Sequence, residues 1–272
     1  MPGLSLLSDG PAVYSGSALA PFVDQEALAL AARASGWPLL HYWVHRRALL
    51  LGARDEMLPS APAAIRAFRD AGWSVAVRPL GGLAVPVDEG VLNVSLVLPG
   101  EWPLSEAFAV LAGLLADACR PAGDARIGEV SGSYCSGAYD LSVQGVKYAG
   151  IAQRRIPGVI VVSAFVNVSD TAGDRAAAAQ AFYNMAIKDT IATQETILIH
   201  GDAVGNLTRL VGRTVAIADV MEWLQSAIAR QGVSLVRTES LNDAVLGHLS
   251  EAGRRLRQIR GGQDWPARSG TS

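Results

Sequence analysis

The sequence has 272 residues, half of them apolar, and its 23 basic and 25 acidic residues leave a formal charge of −2. A chain of this size and composition can bury a large core in one domain, with or without a small appendage. The small charge argues against a general nucleic-acid or anionic-membrane binder, because neither partner would meet an attractive net field. Two cysteines without a CxxC motif, four scattered histidines and the lack of a leader or membrane-spanning run predict a cytoplasmic protein without metal or disulfide framework.

Helices and strands alternate in the predicted N-terminal half. An extended lead-in covers residues 1–20, and the spacing of apolar residues then predicts a helix over 21–34, which Gly36 and Pro38 end. The further elements expected in this half are strands over 39–44 and 48–51, a helix over 62–71, and strands over 73–77 and 91–98.

A Gly-Gly turn between two predicted strands is the first candidate binding feature. Adjacent Gly81 and Gly82 allow a backbone to approach a ligand closely and offer N–H donors, with Arg78 at the edge. A tight β-turn beside a surface arginine explains the same residues equally well. These residues alone leave both interpretations open.

Cys119 falls on the apolar face of a predicted helix over 105–120, together with Phe108, Leu111 and Leu115. A cysteine in that position is typically a small buried hydrophobic residue with an unreactive thiol. We therefore expect it to contribute packing and no chemistry.

Cys135 lies instead in a Gly- and Ser-rich segment, 132–137, which predicts an exposed loop. The next residues predict a hairpin, with a strand over 139–143, a turn at 144–145 and a returning strand over 146–151. This hairpin would fold Lys147 back towards the cysteine loop. The apolar run that follows, 159–162, is typical of a central buried strand.

The C-terminal third is predicted to be mainly helical. Helices are expected over 175–190, 219–231 and about 240–260. The last of these carries four arginines, at 254, 255, 257 and 260, which indicate a solvated face or a docking surface for an acidic partner.

Three nucleophilic arrangements can be compared in this sequence. A serine hydrolase motif, GxSxG, is absent around Ser133, and a papain-type pair would need a histidine from a distant part of the chain. Cys135 with Lys147 is the arrangement that the hairpin itself supplies. An ammonium favours the thiolate, loop amides can receive an oxyanion, and thiolate attack on an acyl group gives a thioester that an amine can resolve. An incidental loop cysteine near a surface lysine remains the alternative.

Two stretches together resemble a known family. The hairpin GSYCSGAYDLSVQGVKYAGIAQRR and the stretch VRPLGGLAVPVDEGVLNVSLVLP at 77–99 are similar to signatures of the lipoate-protein ligase, biotin-protein ligase and octanoyltransferase superfamily. They are most similar to its cysteine-bearing N-octanoyltransferases, and weaker likeness extends from about residue 22 to 231. The resemblance implies an α/β (α+β) fold with mixed β-sheets flanked by helices. The domains implied are a lead-in at 1–20, a catalytic domain at 21–204, a C-terminal helical segment packed on it at 205–260, and a disordered tail at 261–272.

The family's functional residues can be carried over one at a time. The resemblance puts the nucleophile at Cys135 and the accompanying lysine at Lys147. It puts the acyl-binding residues at Arg78, Gly81, Gly82, Ala149, Gly150 and Ile151, the last three as backbone against the acyl carbonyl.

By resemblance, the expected reaction moves an octanoyl group from the glycine cleavage H protein to lysines in lipoyl domains of 2-oxoacid dehydrogenase E2 subunits. Exchange of one amide for another needs neither ATP nor metal, and Lys147 is the only local candidate to protonate the leaving amine. Ser136 and Ala138 differ from the Pro and Asp of close relatives, which leaves the donor open. The alternatives are an octanoyltransferase that uses acyl carrier protein, an ATP-dependent lipoate-protein ligase, and a non-catalytic acyl-binding protein.

Overall fold

Two β-sheets form the framework of the protein. The computed structural model describes residues 4–6, 10–170, 174–188, 197–237 and 247–256. The strands are β1 (Leu4–Leu6), β2 (Ala12–Tyr14), β3 (Leu39–His45), β4 (Arg47–Leu51), β5 (Ser74–Val77), β6 (Val85–Asp88), β7 (Val91–Pro99), β8 (Arg126–Ile127), β9 (Leu141–Val143), β10 (Val146–Ile156), β11 (Val159–Asn167) and β12 (Leu235–Arg237).

Helices surround these sheets. They are α1 (Ala20–Ser35), α2 (Ala53–Glu56), α3 (Ala61–Asp70), α4 (Leu104–Ala118), α5 (Arg175–Ala186), α6 (Leu207–Val211) and α7 (Ile217–Arg230), with 3₁₀ turns at Arg120–Ala122 and Gly201–Ala203. Residues 247–256 form a further helix, called the C-terminal helix below. No helix in the described ranges is long and apolar enough to cross a membrane.

The larger sheet is mixed, with the order β12-β1-β3-β7-β11-β10-β9-β8 and with β2 paired to β3. Its central strands β3, β7, β11 and β10 are antiparallel, whereas β1 and β2 run parallel to β3. The second sheet, β5-β4-β6, combines a parallel and an antiparallel pair. The α/β class with mixed sheets flanked by helices, predicted from the sequence, is confirmed. The lead-in contributes two of the strands.

The central strands bury both of their faces. On β7, the residues Leu92, Val94 and Leu96 pack in the core under α4 and α7, while Asn93 and Ser95 point to the opposite face. That opposite face is covered by α1 and by the smaller sheet. The space between the two sheets lies on this second face, which we call the α1 face.

A β-bulge in β10 changes the direction of its side chains. The pairing with β9 shifts between Lys147 and Ala149. Tyr148 and Ala149 both enter the core under α4 and α7, although strict alternation would put neighbours on opposite faces. The extra residue therefore turns Lys147 to the α1 face, where its Nζ lies 5.4 Å from the centre of the Phe165 ring.

A buried carboxylate of α1 pairs with the C-terminal helix. Glu26 is fully buried, and its two oxygens pair with Arg154 of β10 and, at 2.9 Å, with Arg255. Arg254 is exposed. One of the four arginines thus meets an acidic group of its own chain, while Arg257 and Arg260, like the tail predicted at 261–272, lie outside the described residues.

Candidate active site

An apolar cavity of about 460 Å³ separates the two sheets. Its lining includes Phe22 of α1, Trp43 of β3, Leu50 and Val85 of the smaller sheet, and Phe165 of β11. A cavity of this size lined by aliphatic and aromatic side chains fits a small apolar ligand or an alkyl chain. The two candidate motifs meet at its wall. We call them the Gly-Gly loop (residues 78–84, between β5 and β6) and the cysteine loop (residues 132–137).

Cys135 adopts an unusual backbone conformation on the cysteine loop, between β8 and β9. Its φ is 48°, in the left-handed region that residues with a side chain seldom occupy. The expectation of an exposed loop is wrong for part of the loop. Cys135 is half-buried, and the preceding Tyr134 is buried, stacked on Phe165 with 5.5 Å between ring centres and hydrogen-bonded to Asn167. These contacts hold the strained residue in place, as is common at functional sites.

Two N–H donors of the Gly-Gly loop point at the sulfur. The Leu83 amide nitrogen lies 3.2 Å from Sγ of Cys135, and Nη2 of Arg78 lies 3.6 Å from it. Donors of this kind stabilise a thiolate and an oxyanion formed beside it. The sulfur therefore lies between the cavity and a small set of hydrogen-bond donors.

Arg78 is a buried support of the Gly-Gly loop, whereas the sequence placed it at the edge. It is only 5% exposed, and it donates to the carbonyls of Leu50 (2.8 Å), Gly81 (3.0 Å) and Leu83 (2.7 Å). Through the first of these bonds it ties the loop to β4. The alternative of a turn beside a surface arginine is thereby excluded.

Lys147 is completely buried and saturated with acceptors. Its Nζ lies 2.9 Å from the carbonyl oxygen of Tyr134, 2.8 Å from that of Cys135 and 2.9 Å from a carboxylate oxygen of Asp140. Burial raises the pKa of Asp140, and the Lys147 ammonium opposes that rise. The predicted approach of Lys147 to the cysteine loop is confirmed, but its hydrogen bonds reach the main chain of Cys135 and not its thiol.

The remaining predicted residues divide between the cavity and the core. Gly150 and Ile151 line the cavity. A Cβ at Gly150 would lie 2.7 Å from the Phe165 ring and 3.2 Å from Cε of Lys147, so a larger residue would displace one of them. Ala149 points away, into the core under α4 and α7.

A polar network behind the Gly-Gly loop has no counterpart in the sequence interpretation. The Ala84 amide donates to the Tyr183 hydroxyl at 3.0 Å, which donates to Asp55 at 2.8 Å, and Asp55 in turn accepts from the Gly52 amide at 2.7 Å. The network fixes the loop against α2 and α5.

The sequence did not reveal the Leu83 amide or Asp140 as site residues either. A backbone donor has no sequence signature, and Asp140 occupies what looks like an ordinary polar strand position.

Solved structures share this fold. A lipoate-protein ligase A bound with ATP aligns with a TM-score of 0.65 over 92% of this chain and 95% of its own, at 20% identity. A bipartite lipoate-protein ligase from Thermoplasma acidophilum aligns with a TM-score of 0.63 over 98% of this chain and all of its own, also at 20% identity. The fold is therefore that of the lipoate-protein ligases.

The family follows from the sequence comparisons. Residues 19–229 match the model of the lipoyl protein ligase A/B catalytic domain, and the chain belongs to this family. It is 35% identical over 203 residues to an octanoyl-[GcvH]:protein N-octanoyltransferase of Anoxybacillus flavithermus, covering 73% of each chain. A protein of the same name from Staphylococcus aureus is 35% identical over 194 residues, 70% of each chain. The resemblance seen in the two motifs is thereby confirmed.

Proposed function

We propose that this protein is a cysteine-dependent octanoyltransferase that takes its acyl group from the glycine cleavage H protein. The observation that carries the proposal is the sulfur of Cys135 at the wall of the apolar cavity, with the Leu83 amide 3.2 Å away. The cavity holds the alkyl chain, and the sulfur meets the acyl carbon. Relatives that bear this activity in their names support the choice of donor.

The reaction has two half-reactions. In the first, the Cys135 thiol gives up its proton and its sulfur attacks the carbonyl carbon of the octanoyl-lysine amide; a C–S bond forms, the C–N bond breaks, and the proton ends on the H-protein lysine, which leaves as an amine. In the second, the amine of an acceptor lysine attacks the thioester, a C–N bond forms, the C–S bond breaks, and the proton that the amine loses returns to the Cys135 sulfur. Because an amide is broken and an amide is formed, no ATP is required, and no step needs a metal.

The residues around the sulfur have separate tasks. The Leu83 amide and Arg78 stabilise the oxyanion of each tetrahedral intermediate, because both already point at the reacting atom. Lys147 holds the carbonyls of Tyr134 and Cys135, so its main task is to fix the strained loop.

The acceptors in this proposal are lysines of lipoyl domains in 2-oxoacid dehydrogenase E2 subunits, and the compartment is the cytoplasm. An amine in an extended side chain can reach a thioester at the cavity wall, since Cys135 is half-buried and not enclosed.

Intact mass spectrometry after mixing with octanoylated H protein tests the covalent step. The wild type is expected to gain one octanoyl group, and Cys135→Ala none. Cys119→Ala is the matched control, because Cys119 is 1% exposed, in the core under α4, and burial raises the pKa of its thiol to about 12. Equal acyl loading of wild type and Cys135→Ala would refute the covalent mechanism.

Transfer to a lipoyl domain tests the donor and the energy source. Octanoylated H protein, octanoyl carrier protein, and free octanoate with ATP and Mg²⁺ are compared as donors. The proposal expects the first to be the most efficient and expects ATP to leave its rate unchanged. Acyl transfer that requires ATP would instead indicate a ligase.

A further inference from the structure

A closed cluster of three polar side chains lies at the wall of the apolar cavity. Nε2 of Gln25 lies 2.8 Å from Oγ of Ser95 and 2.8 Å from Oγ of Ser163, and the two hydroxyls are 3.1 Å apart. Gln25 and Ser95 are 2% and 0% exposed. Ser163 is half-buried and lines the cavity. We call these three residues the polar cluster.

The register of the larger sheet shows where the cluster lies relative to the sulfur. Phe165 pairs with Gly150 and stacks on Tyr134, the neighbour of Cys135. Ser163 precedes Phe165 by two residues on β11. It lies on the same face, about 7 Å from Phe165 along the strand. Cavity lining thus extends along β11 from the region of the cysteine loop to Ser163.

Beyond the cluster the sheet face is closed by core packing. The next pair on this face joins Val97 and Val161, which pack under α1 with Leu28 and Ala32 in a separate apolar group. Ser95 and Ser163 stand between that group and the apolar residues of the cavity. On the α1 face of β11 the polar cluster therefore marks the end of the cavity, whose lining on the other side includes Gln153 of β10 and Leu104 and Phe108 of α4.

The hydrogen bonds within the polar cluster leave the cavity wall at Ser163 partly polar. The two N–H bonds of Gln25 Nε2 go to the two serine oxygens, and one hydroxyl donates to the other. One serine O–H remains after these three bonds. When Ser95 donates to Ser163, the remaining O–H is that of Ser163, the serine that lines the cavity. An alkyl chain that pressed against this wall would bury a hydroxyl group without giving it an acceptor, which is unfavourable.

We propose that Ser163, held by Gln25 and Ser95, is the residue that limits the length of the acyl chain accepted by the cavity. An acyl chain that ends before Ser163 stays in apolar surroundings. Each further methylene group would press against the polar side chain of Ser163. The inference rests on the proposed function only in taking the ligand to be an acyl chain bound with its carbonyl end at Cys135.

Two substitutions at Ser163 should move the preferred length in opposite directions. Ser163→Ala removes the hydroxyl and lengthens the apolar space, whereas Ser163→Thr keeps the hydroxyl and adds a methyl group to the wall. Isothermal titration calorimetry with hexanoate, octanoate, decanoate and dodecanoate measures the preference without turnover. We expect the decanoate-to-octanoate affinity ratio to rise on the order of tenfold in Ser163→Ala, and to fall in Ser163→Thr, where the hexanoate-to-octanoate ratio rises.

Ser95→Ala is the control for general damage to the cluster. It removes the same atom, but from a serine that does not line the cavity, so we expect a loss of thermal stability with the wild-type length preference. An unchanged preference in both Ser163 variants would overturn the proposal, as would an equal shift in Ser95→Ala. Transfer from octanoylated H protein, assayed in parallel, separates the two proposals. Normal transfer with an unchanged preference refutes the role of Ser163 alone, and a shifted preference without transfer refutes only the proposed function.

Discussion

Gly82 touches the site of Cys135 so closely that a side chain cannot be added there. A Cβ at Gly82 would lie 2.8 Å from Sγ of Cys135 and 2.7 Å from Nη2 of Arg78. The φ of Gly82, +94°, is also strained for any other residue. The Gly-Gly loop can therefore approach the sulfur only because this position is glycine.

Gly82→Ala is predicted to reduce octanoyl transfer by about a hundredfold, because displacement of the sulfur or of its donors by a fraction of an ångström spoils the attack geometry. Gly81→Ala is the matched comparison. A Cβ there would have no heavy atom within 4 Å, so we expect a smaller loss. Steady-state transfer rates of the two folded variants measure the difference. Equal losses would show that the close contact at Gly82 is unimportant.

Substitutions in the buried pair of Lys147 and Asp140 should affect the stability of the protein and its transfer activity differently. Lys147→Met leaves Asp140 buried without its cation and should lower the free energy of unfolding by about 3–5 kcal/mol. Combining it with Asp140→Asn removes the stranded charge and should restore most of that loss. Transfer should stay about a hundredfold low in the double variant, because the carbonyls of Tyr134 and Cys135 still lack their donor. Chemical denaturation measures the unfolding free energies, and a transfer assay measures the activities. A double variant with normal transfer would contradict the role of Lys147 in positioning the cysteine loop.

Arg255 and Arg254 are adjacent but should differ in their effect on stability. Arg255 is 28% exposed and pairs with the fully buried Glu26, whose other oxygen pairs with Arg154. We expect Arg255→Ala to lower the free energy of unfolding by about 1–3 kcal/mol, since Arg154 still balances part of the buried charge. Arg254→Ala, on the exposed face, should change it by less than about 0.5 kcal/mol. Equal effects in urea denaturation would mean that the C-terminal helix is not anchored at Glu26.

The buried side chain of His41 should make the folded protein less stable in acid. Burial lowers the pKa of His41 from 6.5 to about 4, against the opposing charge of nearby Asp24. Below pH 6.5 the unfolded chain binds a proton that the folded protein resists, so stability falls as the pH drops towards 4. His41→Gln should reduce the difference between the unfolding free energies at pH 7 and pH 4.5 by about 2–3 kcal/mol. If His41→Gln keeps the wild-type pH dependence, His41 is not the responsible group.

Most longer elements could be predicted because their apolar spacing is unambiguous. The predicted helices at 21–34 and 62–71 and the strands at 39–44 and 91–98 agree with the structure within about one residue at most ends. The predicted helix at 219–231 begins two residues earlier, with Asp219 accepting the Ala216 amide from within the first turn. The three-residue strands β1 and β12 are too short to show a period, and their pairing depends on chain segments more than 200 residues apart.

The chemistry of the site could be predicted from residue types, and its geometry could not. Cys135 and the Gly-Gly loop were recognisable because cysteine in a glycine-rich segment and paired glycines have few structural reasons to be there. The Leu83 amide, by contrast, acts through the main chain, and any residue could supply it. The burial of Tyr134 depends on Phe165, 31 positions further on, which local composition does not report.

The bulge in β10 makes the face on which Lys147 lies depend on the pairing with β9, and not on its place in the sequence alone. An alternating strand could not point Lys147 and Gly150 to the same face, and the pair shares that face only because Tyr148 and Ala149 share the other. A deletion of one residue at 148 or 149 would remove the bulge, leave Lys147 and Gly150 two positions apart in a regular strand, and keep both on the α1 face. Regular pairing of the same number of residues would instead turn the ammonium into the opposite core, so the bulge and the lysine define this part of the site together.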